Sequence, residues 1–284
     1  MPVKTWNRQI VIGDVHGCLE ELQQLVSNLH LTADDEVIFV GDLIDKGPKS
    51  AGVVNWLGNI SKLHSVQLIE GNHEERFLRW YATLQKNPEK AAQFAPRQQF
   101  SELLAELEPA GIEILQQSRL WYRLQQHDYI VVHAGVPEYM QQLPPVYPRD
   151  SNGTAKARKH WYQTQHIRYI NDEGKPVCLE QEKPDHHFWA EGYDGRFGVI
   201  IFGHQVWPKR DGPRRFEHAI GVDLGCVHGG ALCAWIMEKD GRTSWQCVDS
   251  MCCYQPLHDT RQIVTVQTPS PDLPLPAGEG RGEG

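Results

Sequence analysis

The sequence predicts an α/β fold, and three observations support this prediction. Short apolar runs rich in Val and Ile, which are typical of buried strands, recur along the chain. The first of these runs are separated by segments whose apolar residues recur at helical spacing. Five of the runs end within three residues of an Asp, Asn or His. Because ligands of an open α/β sheet bind beyond the carboxyl ends of its strands, these endings predict one shared pocket.

The first two pairs of strand and helix show this pattern clearly. The run R-Q-I-V-I leads to Asp14, and residues 17–30 then predict an amphipathic helix. The run E-V-I-F-V leads to Asp42, and a second helix is predicted at residues 48–63. A single Asp after a Gly is most often a turn residue. The repetition of the ending, rather than any one Asp, therefore indicates a site.

Three further runs end at Asn72, His133 and His204, and longer segments separate them. We predict a helical insertion at about residues 76–126, between the third and the fourth of the five strands. After His204, two more apolar segments flank a turn at residues 227–230. We expect these segments to be antiparallel strands that close the sheet.

The chain is expected to form one catalytic domain over residues 1–267. Residues 138–194 are its least regular part, and they contain Arg, His and aromatic residues that are candidates for substrate contacts. Residues 268–284 are rich first in Pro and then in Gly and Glu. That composition offers too little apolar surface to fold, so we predict a disordered tail.

Composition excludes several classes of protein. The formal net charge is −8, with 36 acidic against 28 basic residues, which disfavours double-stranded nucleic acid as a partner. The seven cysteines are irregularly spaced and fit neither a disulfide framework nor a paired zinc motif. No stretch approaches the roughly 20 apolar residues that span a membrane. We expect a cytoplasmic protein with reduced thiols and no membrane partner.

The side chains at the strand endings are typical ligands of divalent cations. Carboxylate, amide and imidazole donors without cysteine suit two ions such as Mn²⁺, Fe²⁺ or Zn²⁺. Asp42, at the centre of the series, is the expected bridging ligand, and Asn72 adds a neutral oxygen. Two such ions about 3.5 to 4 Å apart activate a shared hydroxide and hold both oxygens of an in-line displacement at phosphorus. The sequence therefore predicts a phosphohydrolase.

His73 and Asp45 are the predicted acid and its partner. His73 directly follows Asn72, so its side chain points differently and is a candidate general acid to the leaving-group oxygen. Asp45 lies three residues after Asp42 and is a candidate to orient that imidazole. The alternative is that His73 only supports a metal ligand.

Five motifs together resemble those of the PPP family of calcineurin-like metallophosphoesterases. They span residues 13 to 204 and occur in the order of the family: G-D-V-H-G, G-D-L-I-D-K-G, G-N-H-E, H-A-G and G-H. The resemblance implies a four-layer α/β/β/α sandwich. It also implies that one metal is held by Asp14, His16 and Asp42, and the other by Asp42, Asn72, His133 and His204.

The resemblance leaves the branch of the family open. Asp45 matches the Ser/Thr protein phosphatases, whereas the bacterial tetraphosphatases lack this residue. Lys46 stands where Arg is usual in the family, and a Lys at this position is similar to the tetraphosphatase-like branch. A Lys holds phosphate as a point charge, whereas an Arg holds it through two hydrogen bonds. The segment G-V-D-L-G-C-V-H-G-G-A-L resembles the tetraphosphatases. Lys46 and Arg168 are the candidate phosphate ligands.

Three functions are compatible with these motifs. The first expectation is hydrolysis of a phosphate monoester by a metal-bound hydroxide, as in Ser/Thr phosphatases acting on phosphoproteins. The alternative is hydrolysis of dinucleoside polyphosphates, such as diadenosine tetraphosphate, or of other nucleotide anhydrides. The third is a binding module without activity, which is disfavoured because every ligand position is filled and His73 is present.

Overall fold

The computed structural model describes residues 5–125, 127–147, 155–177, 183 and 185–257. The strands in these ranges are β1 (Arg8–Ile12), β2 (Asp35–Phe39), β3 (Ser65–Leu68), β4 (Trp121–Arg123), β5 (Tyr129–Val132), β6 (Tyr169–Ile170), β7 (Pro176–Val177), β8 (His187–Phe188), β9 (Val199–Phe202), β10 (Arg214–Arg215), β11 (Ala219–Gly221), β12 (Ala231–Glu238) and β13 (Thr243–Asp249). The helices are α1 (Leu19–Leu29), α2 (Ser50–Ile60), α3 (Asn72–Lys86), α4 (Pro88–Ala91), α5 (Arg97–Glu106), α6 (Pro109–Gln116) and α7 (Ala155–His166). Within the same ranges, no helix combines the length and the apolar character needed to cross a bilayer.

Two five-stranded sheets form the centre of the fold. The first has the order β13-β12-β1-β2-β3, in which β1, β2 and β3 are parallel. The second has the order β10-β11-β9-β5-β4, in which β5, β9 and β11 are parallel. The five strands predicted to carry site residues are the parallel ones β1, β2, β3, β5 and β9, so their carboxyl ends can supply one common edge.

Alternating side chains explain why the two sheets stack. In β1, Ile10 and Ile12 pack into one core cluster with the helices, whereas Val11 packs into another cluster between the sheets. β5 and β9 alternate in the same way, since Val131 and Ile201 join the inter-sheet cluster. A strand that is apolar on both faces must be covered on both faces, as in a sandwich.

The outer layers complete the predicted α/β/β/α sandwich. Leu22 and Leu25 of α1 and Val54 of α2 lie in the core cluster on the outer face of the first sheet. On the outer face of the second sheet, the cluster contains Ile167 beside α7 and Trp189 after β8. This fourth layer also includes a small sheet with the order β7-β6-β8, so it is not purely helical.

Two expectations about secondary structure need correction. The predicted insertion at about residues 76–126 contains helices α3 to α6, but β4 at Trp121–Arg123 is a strand that pairs antiparallel with β5. The segments after His204 meet at an isolated antiparallel bridge between Leu224 and Ala231, but their strands belong to different sheets. β11 is parallel to β9 in the second sheet, whereas β12 is antiparallel to β1 and β13 in the first. A buried apolar run does not indicate which of the two sheets its strand joins, because strand pairing depends on partners that are distant in sequence.

The predicted tail at residues 268–284 lies outside the described residues. The described ranges contain six cysteines, and all six are free thiols.

Candidate metal centre and active site

The loop that carries Asp42 adopts a backbone conformation that most residues avoid. Asp42 has φ of 51°, and Gly41 before it has φ of 103°. A side chain at Gly41 would place its Cβ 2.6 Å from the backbone nitrogen of Gly71, which precedes Asn72. Only glycine permits this approach, so the loops after β2 and β3 lie directly against each other. The positive φ of Asp42 requires support from its surroundings.

Glu74 provides that support. Its carboxylate accepts hydrogen bonds from the backbone N–H groups of Asp42 (2.7 Å), Leu43 (2.8 Å) and Ile44 (3.3 Å). It also accepts the N–H of Gly71 (3.1 Å) at the start of α3, as in a capping box. Burial, together with the charge of Asp42, raises the pKa of Glu74 to about 8. Glu74 had no predicted role, although it lies three residues after the N-cap Gly71, a spacing within G-N-H-E that is typical of a capping box.

Replacing Glu74 by alanine should destabilise the protein strongly. Four buried backbone N–H groups would lose their acceptor. Since each such loss costs about 1 to 3 kcal/mol, we expect the free energy of unfolding to fall by about 3 kcal/mol or more. Urea titration followed by circular dichroism measures the change. The matched control is Glu75→Ala, which removes an ion pair with Arg79 at 3.2 Å and should cost less than about 1 kcal/mol. Equal losses in both variants would contradict the role of Glu74.

Four donor atoms converge at the ends of β2, β3, β5 and β9. His133 Nδ1 donates to the carbonyl of Val40 at 2.8 Å, which leaves its Nε2 as a free acceptor. That Nε2 lies 3.0 Å from Asn72 Oδ1, 3.2 Å from His204 Nδ1 and 3.4 Å from Asp42 Oδ1. The carboxylate and the two imidazoles are buried. Such a group of oxygen and nitrogen lone pairs fits one divalent cation.

A second group of donors lies on the other side of Asp42. His16 Nδ1 donates to the carbonyl of Ile44 at 2.9 Å, so its Nε2 faces the site, 3.5 Å from Asp42 Oδ2. Donor atoms of His16, Asp42 and His73 all lie within 4.8 Å of one another. Asp42 thus presents one oxygen to each group, which is the arrangement that a bridging ligand requires.

Asp14 lies beside these groups and is hydrogen-bonded to the loop that follows β9. Its two carboxylate oxygens accept the N–H of His204 at 3.1 and 3.0 Å. Burial raises the pKa of Asp14, and the charges of Asp223 and Asp42 raise it further. Asp223 is buried and accepts the N–H of Gly225 at 2.8 Å. Asp223 lies in the segment G-V-D-L-G, which resembles the tetraphosphatases, but the sequence had suggested no role for this residue.

Electrostatics keep His16, His204 and Asp42 in the forms that bind cations. Burial lowers the pKa values of His16 and His204 well below the usual range, so both imidazoles are neutral. Burial alone would raise the pKa of Asp42, but the neighbouring His133, His73 and His16 outweigh it and hold that pKa well below the usual range. An ionised carboxylate between neutral imidazoles is suited to hold two cations.

The predicted pair of His73 and Asp45 is formed. His73 Nδ1 lies 2.6 Å from Asp45 Oδ2, and His73 Nε2 lies 3.9 Å from Asp42 Oδ2. The other oxygen of Asp45 accepts a hydrogen bond from Gln99 Nε2 at 2.7 Å. Gln99 belongs to α5, 54 residues away in sequence, so no local pattern predicted this contact. The helical insertion therefore reaches the site through Gln99.

The two candidate phosphate ligands occupy different positions. Lys46 Nζ lies 2.8 Å from His16 Nε2, so Lys46 faces the site rather than serving only as a turn residue. Arg168 Nη2 donates to the carbonyl of His204 at 2.9 Å, while its buried Nε–H makes no hydrogen bond within the described part of the chain. The side chains of Lys46 and Arg168 therefore both lie at the edge where the strand endings meet.

Fold and site together define a metallophosphoesterase, and comparison with known families agrees. The model of the calcineurin-like phosphoesterase family matches residues 8–208, so the chain belongs to that family. This range covers β1 to β9 and every predicted site residue. The members of the family are metal-dependent hydrolases of phosphoric ester or anhydride bonds, which agrees with the donor groups around Asp42.

Among individual proteins, the chain is similar to two kinds of tetraphosphatase. It is 29% identical over 238 residues to the asymmetrical bis(5'-nucleosyl)-tetraphosphatase PrpE of Oceanobacillus iheyensis, covering 79% of this chain and 86% of that protein. It is 26% identical over 273 residues to the symmetrical bis(5'-nucleosyl)-tetraphosphatase of Cellvibrio japonicus, covering 83% and 97%.

Solved structures show the same fold. A protein provisionally assigned as a diadenosine tetraphosphatase superimposes with a TM-score of 0.61 at 25% identity, covering 88% of this chain and 95% of that one. A yeast Ser/Thr phosphatase with similarity to human PP5 superimposes with a TM-score of 0.51 at 16% identity, covering 86% and 80%. The second likeness shows the fold alone.

Proposed function

We propose that the protein hydrolyses dinucleoside polyphosphates such as diadenosine tetraphosphate. The observation that carries this proposal is the likeness of most of the chain to tetraphosphatases of both kinds. It favours the alternative over the first expectation, a Ser/Thr phosphatase, which is supported by Asp45 in the sequence but among the comparisons only by a shared fold at 16% identity. The convergent donors around Asp42 supply a site for the reaction.

Six side chains would hold the two cations. Asp14, His16 and Asp42 would bind one ion, and Asp42, Asn72, His133 and His204 the other. We propose Mn²⁺ as the first candidate, with Fe²⁺ or Zn²⁺ as alternatives, because the donors are oxygen and nitrogen without thiolate. When bound, the ions would supply positive charge to the phosphate oxygens and acidify a water.

His73 is proposed to protonate the leaving-group oxygen. The carboxylate of Asp45 accepts the Nδ1–H of His73, so Nε2 is the nitrogen that faces the site. Gln99 holds the second oxygen of Asp45 and so limits its rotation. A carboxylate at Nδ1 stabilises the imidazolium, which is the form of His73 that can donate a proton.

Lys46 and Arg168 are proposed to hold phosphate groups of the polyphosphate. Lys46 Nζ lies within the first donor group, 2.8 Å from His16. Arg168 is anchored by the carbonyl of His204 and retains a buried Nε–H as a free donor within the described chain. A substrate with several phosphates can contact Lys46 and Arg168 at the same time, whereas a monoester offers only one phosphate.

The test is a parallel assay with Mn²⁺ of diadenosine tetraphosphate, a phosphoserine peptide and p-nitrophenyl phosphate. We expect kcat/KM for diadenosine tetraphosphate to exceed that for the peptide by at least tenfold. Chromatography of the products distinguishes symmetrical cleavage to two ADP from asymmetrical cleavage to ATP and AMP. Faster turnover of the peptide would overturn the proposal and restore the Ser/Thr phosphatase.

A further inference from the structure

The C-terminal end of α7 lies against the ligand loops of the second donor group. The carbonyl of Thr164 accepts the N–H of Ala134, the neighbour of His133, at 2.8 Å. The side chain of Gln165 donates to Glu70, just before Asn72, at 3.1 Å. Arg168, two residues beyond the helix, donates to the carbonyl of His204 at 2.9 Å. Three loops that carry predicted ligands thus contact this one segment.

α7 also carries exposed side chains close to this segment. His160, Gln163, Thr164 and Ile167 are buried under the helix. Tyr162 is 60% exposed. Lys159, Tyr162 and His166 have the spacing i, i+3 and i+7, so they form one stripe along the helix. The stripe ends at His166, two residues before Arg168.

Tyr162 and His166 form a flat two-ring stack. Their ring centroids are 3.9 Å apart and their planes differ by 10°. His166 Nδ1 donates to the carbonyl of Tyr162 at 2.9 Å, which fixes the imidazole in this position. Burial lowers the pKa of His166 to about 4, so its ring is neutral at pH 7. One face of the tyrosine is covered by the imidazole, and the exposed part of its ring is available to a ligand.

We propose that the Tyr162–His166 stack is a platform for a nucleobase of the substrate. His166 lies two residues before Arg168, which donates to the carbonyl of His204, so the stack adjoins the segment that contacts the second donor group. A nucleotide whose phosphates occupied that centre would extend its ribose and base away from it, where an exposed ring on this segment can stack with the base. Stacking on an aromatic ring tolerates any base, so adenine and guanine nucleotides should both bind. The inference rests on the proposed function, because only a nucleotide substrate supplies a base.

The test compares a ligand that has a base with one that lacks it. ADP and inorganic pyrophosphate both carry a diphosphate, and each is used with Mn²⁺ as a competitive inhibitor of p-nitrophenyl phosphate hydrolysis. Loss of one stacked base costs about 1 to 3 kcal/mol. Tyr162→Ala should therefore raise the inhibition constant for ADP about 5- to 150-fold and change that for pyrophosphate less than twofold. Tyr162→Phe keeps the ring and should retain the affinity for ADP.

Trp245→Ala provides a matched control. Trp245 is 49% exposed and lies on β13 at the edge of the first sheet, so its removal should affect neither inhibitor. If Tyr162→Ala leaves the ratio of the two inhibition constants unchanged, the platform is refuted. A parallel rise in both constants would refute it as well, because the loss would then not concern the base.

Failure of the proposed function would give a different result. Wild-type protein that hydrolyses p-nitrophenyl phosphate but not diadenosine tetraphosphate would refute that function. The ratio of inhibition constants for ADP and pyrophosphate needs no turnover of a dinucleotide, so it still decides whether the platform binds a base.

Discussion

Asp42→Asn should remove bound metal and activity together. Asp42 presents one oxygen to each donor group, 3.5 Å from His16 Nε2 and 3.4 Å from His133 Nε2, so both ions depend on its charge. A neutral amide cannot bridge two cations as a carboxylate does. Loss of several kcal/mol of charge stabilisation corresponds to a fall in kcat/KM of about 10² to 10⁴. Elemental analysis after gel filtration in Mn²⁺-free buffer measures the metal, and turnover of diadenosine tetraphosphate measures the activity.

Asp34→Asn is the matched control for Asp42→Asn. Asp34 is an exposed acid just before β2, so its replacement changes the net charge equally and should leave metal and turnover intact. Chelation of wild-type protein should likewise abolish hydrolysis, and added Mn²⁺ should restore it. Full activity of metal-free protein, or of Asp42→Asn, would refute the proposed mechanism.

His73→Asn should produce a loss that depends on the leaving group. His73 Nδ1 lies 2.6 Å from Asp45 Oδ2, and its Nε2 faces the site, so it is positioned to protonate a departing oxygen. General acid catalysis contributes about 10² to 10⁴ in rate where the leaving group needs a proton. We expect a loss of that size with phenyl phosphate and a much smaller loss with p-nitrophenyl phosphate, whose leaving group is stable as an anion.

The comparison of the two phenyl esters contains its own control, because they differ only in the basicity of the leaving oxygen. Asp45→Asn should show the same preference in weaker form, since Asp45 acts through His73. Equal losses of His73→Asn on both esters would show that His73 supports a metal ligand instead of donating a proton. Diadenosine tetraphosphate releases a nucleotide, which is a better leaving group than an alkoxide, and should resemble p-nitrophenyl phosphate.

Asp45 and Lys46 show why local sequence did not determine the substrate. Asp45 indicated a phosphatase for poor leaving groups, whereas Lys46 indicated the tetraphosphatases. Both residues lie in the site: Asp45 contacts His73 and Lys46 contacts His16. Neither contact discriminates between the two substrates, because a phosphate monoester and a phosphoanhydride both present a phosphate group and a leaving oxygen to these residues. The likeness to tetraphosphatases over most of the chain was needed to choose between the two functions.

The sequence by itself determined the class of fold and the residues at the strand endings. A buried strand and the turn that ends it are local features, so five runs ending near Asp, Asn or His predicted both the parallel strands and the shared edge. His133 and His204 lie 71 residues apart and nevertheless meet at 3.2 Å, as the common strand endings led us to expect.

The tertiary structure alone decided which partners support those residues. Gln99 reaches Asp45 from a helix 54 residues away, and Glu74 holds the backbone of Asp42 across 32 residues. The assignment of β11 and β12 to different sheets is of the same kind. Hydrogen bonds and strand pairs between distant segments depend on how complete layers pack, and a periodic pattern of apolar residues specifies only that a face is buried, not what covers it.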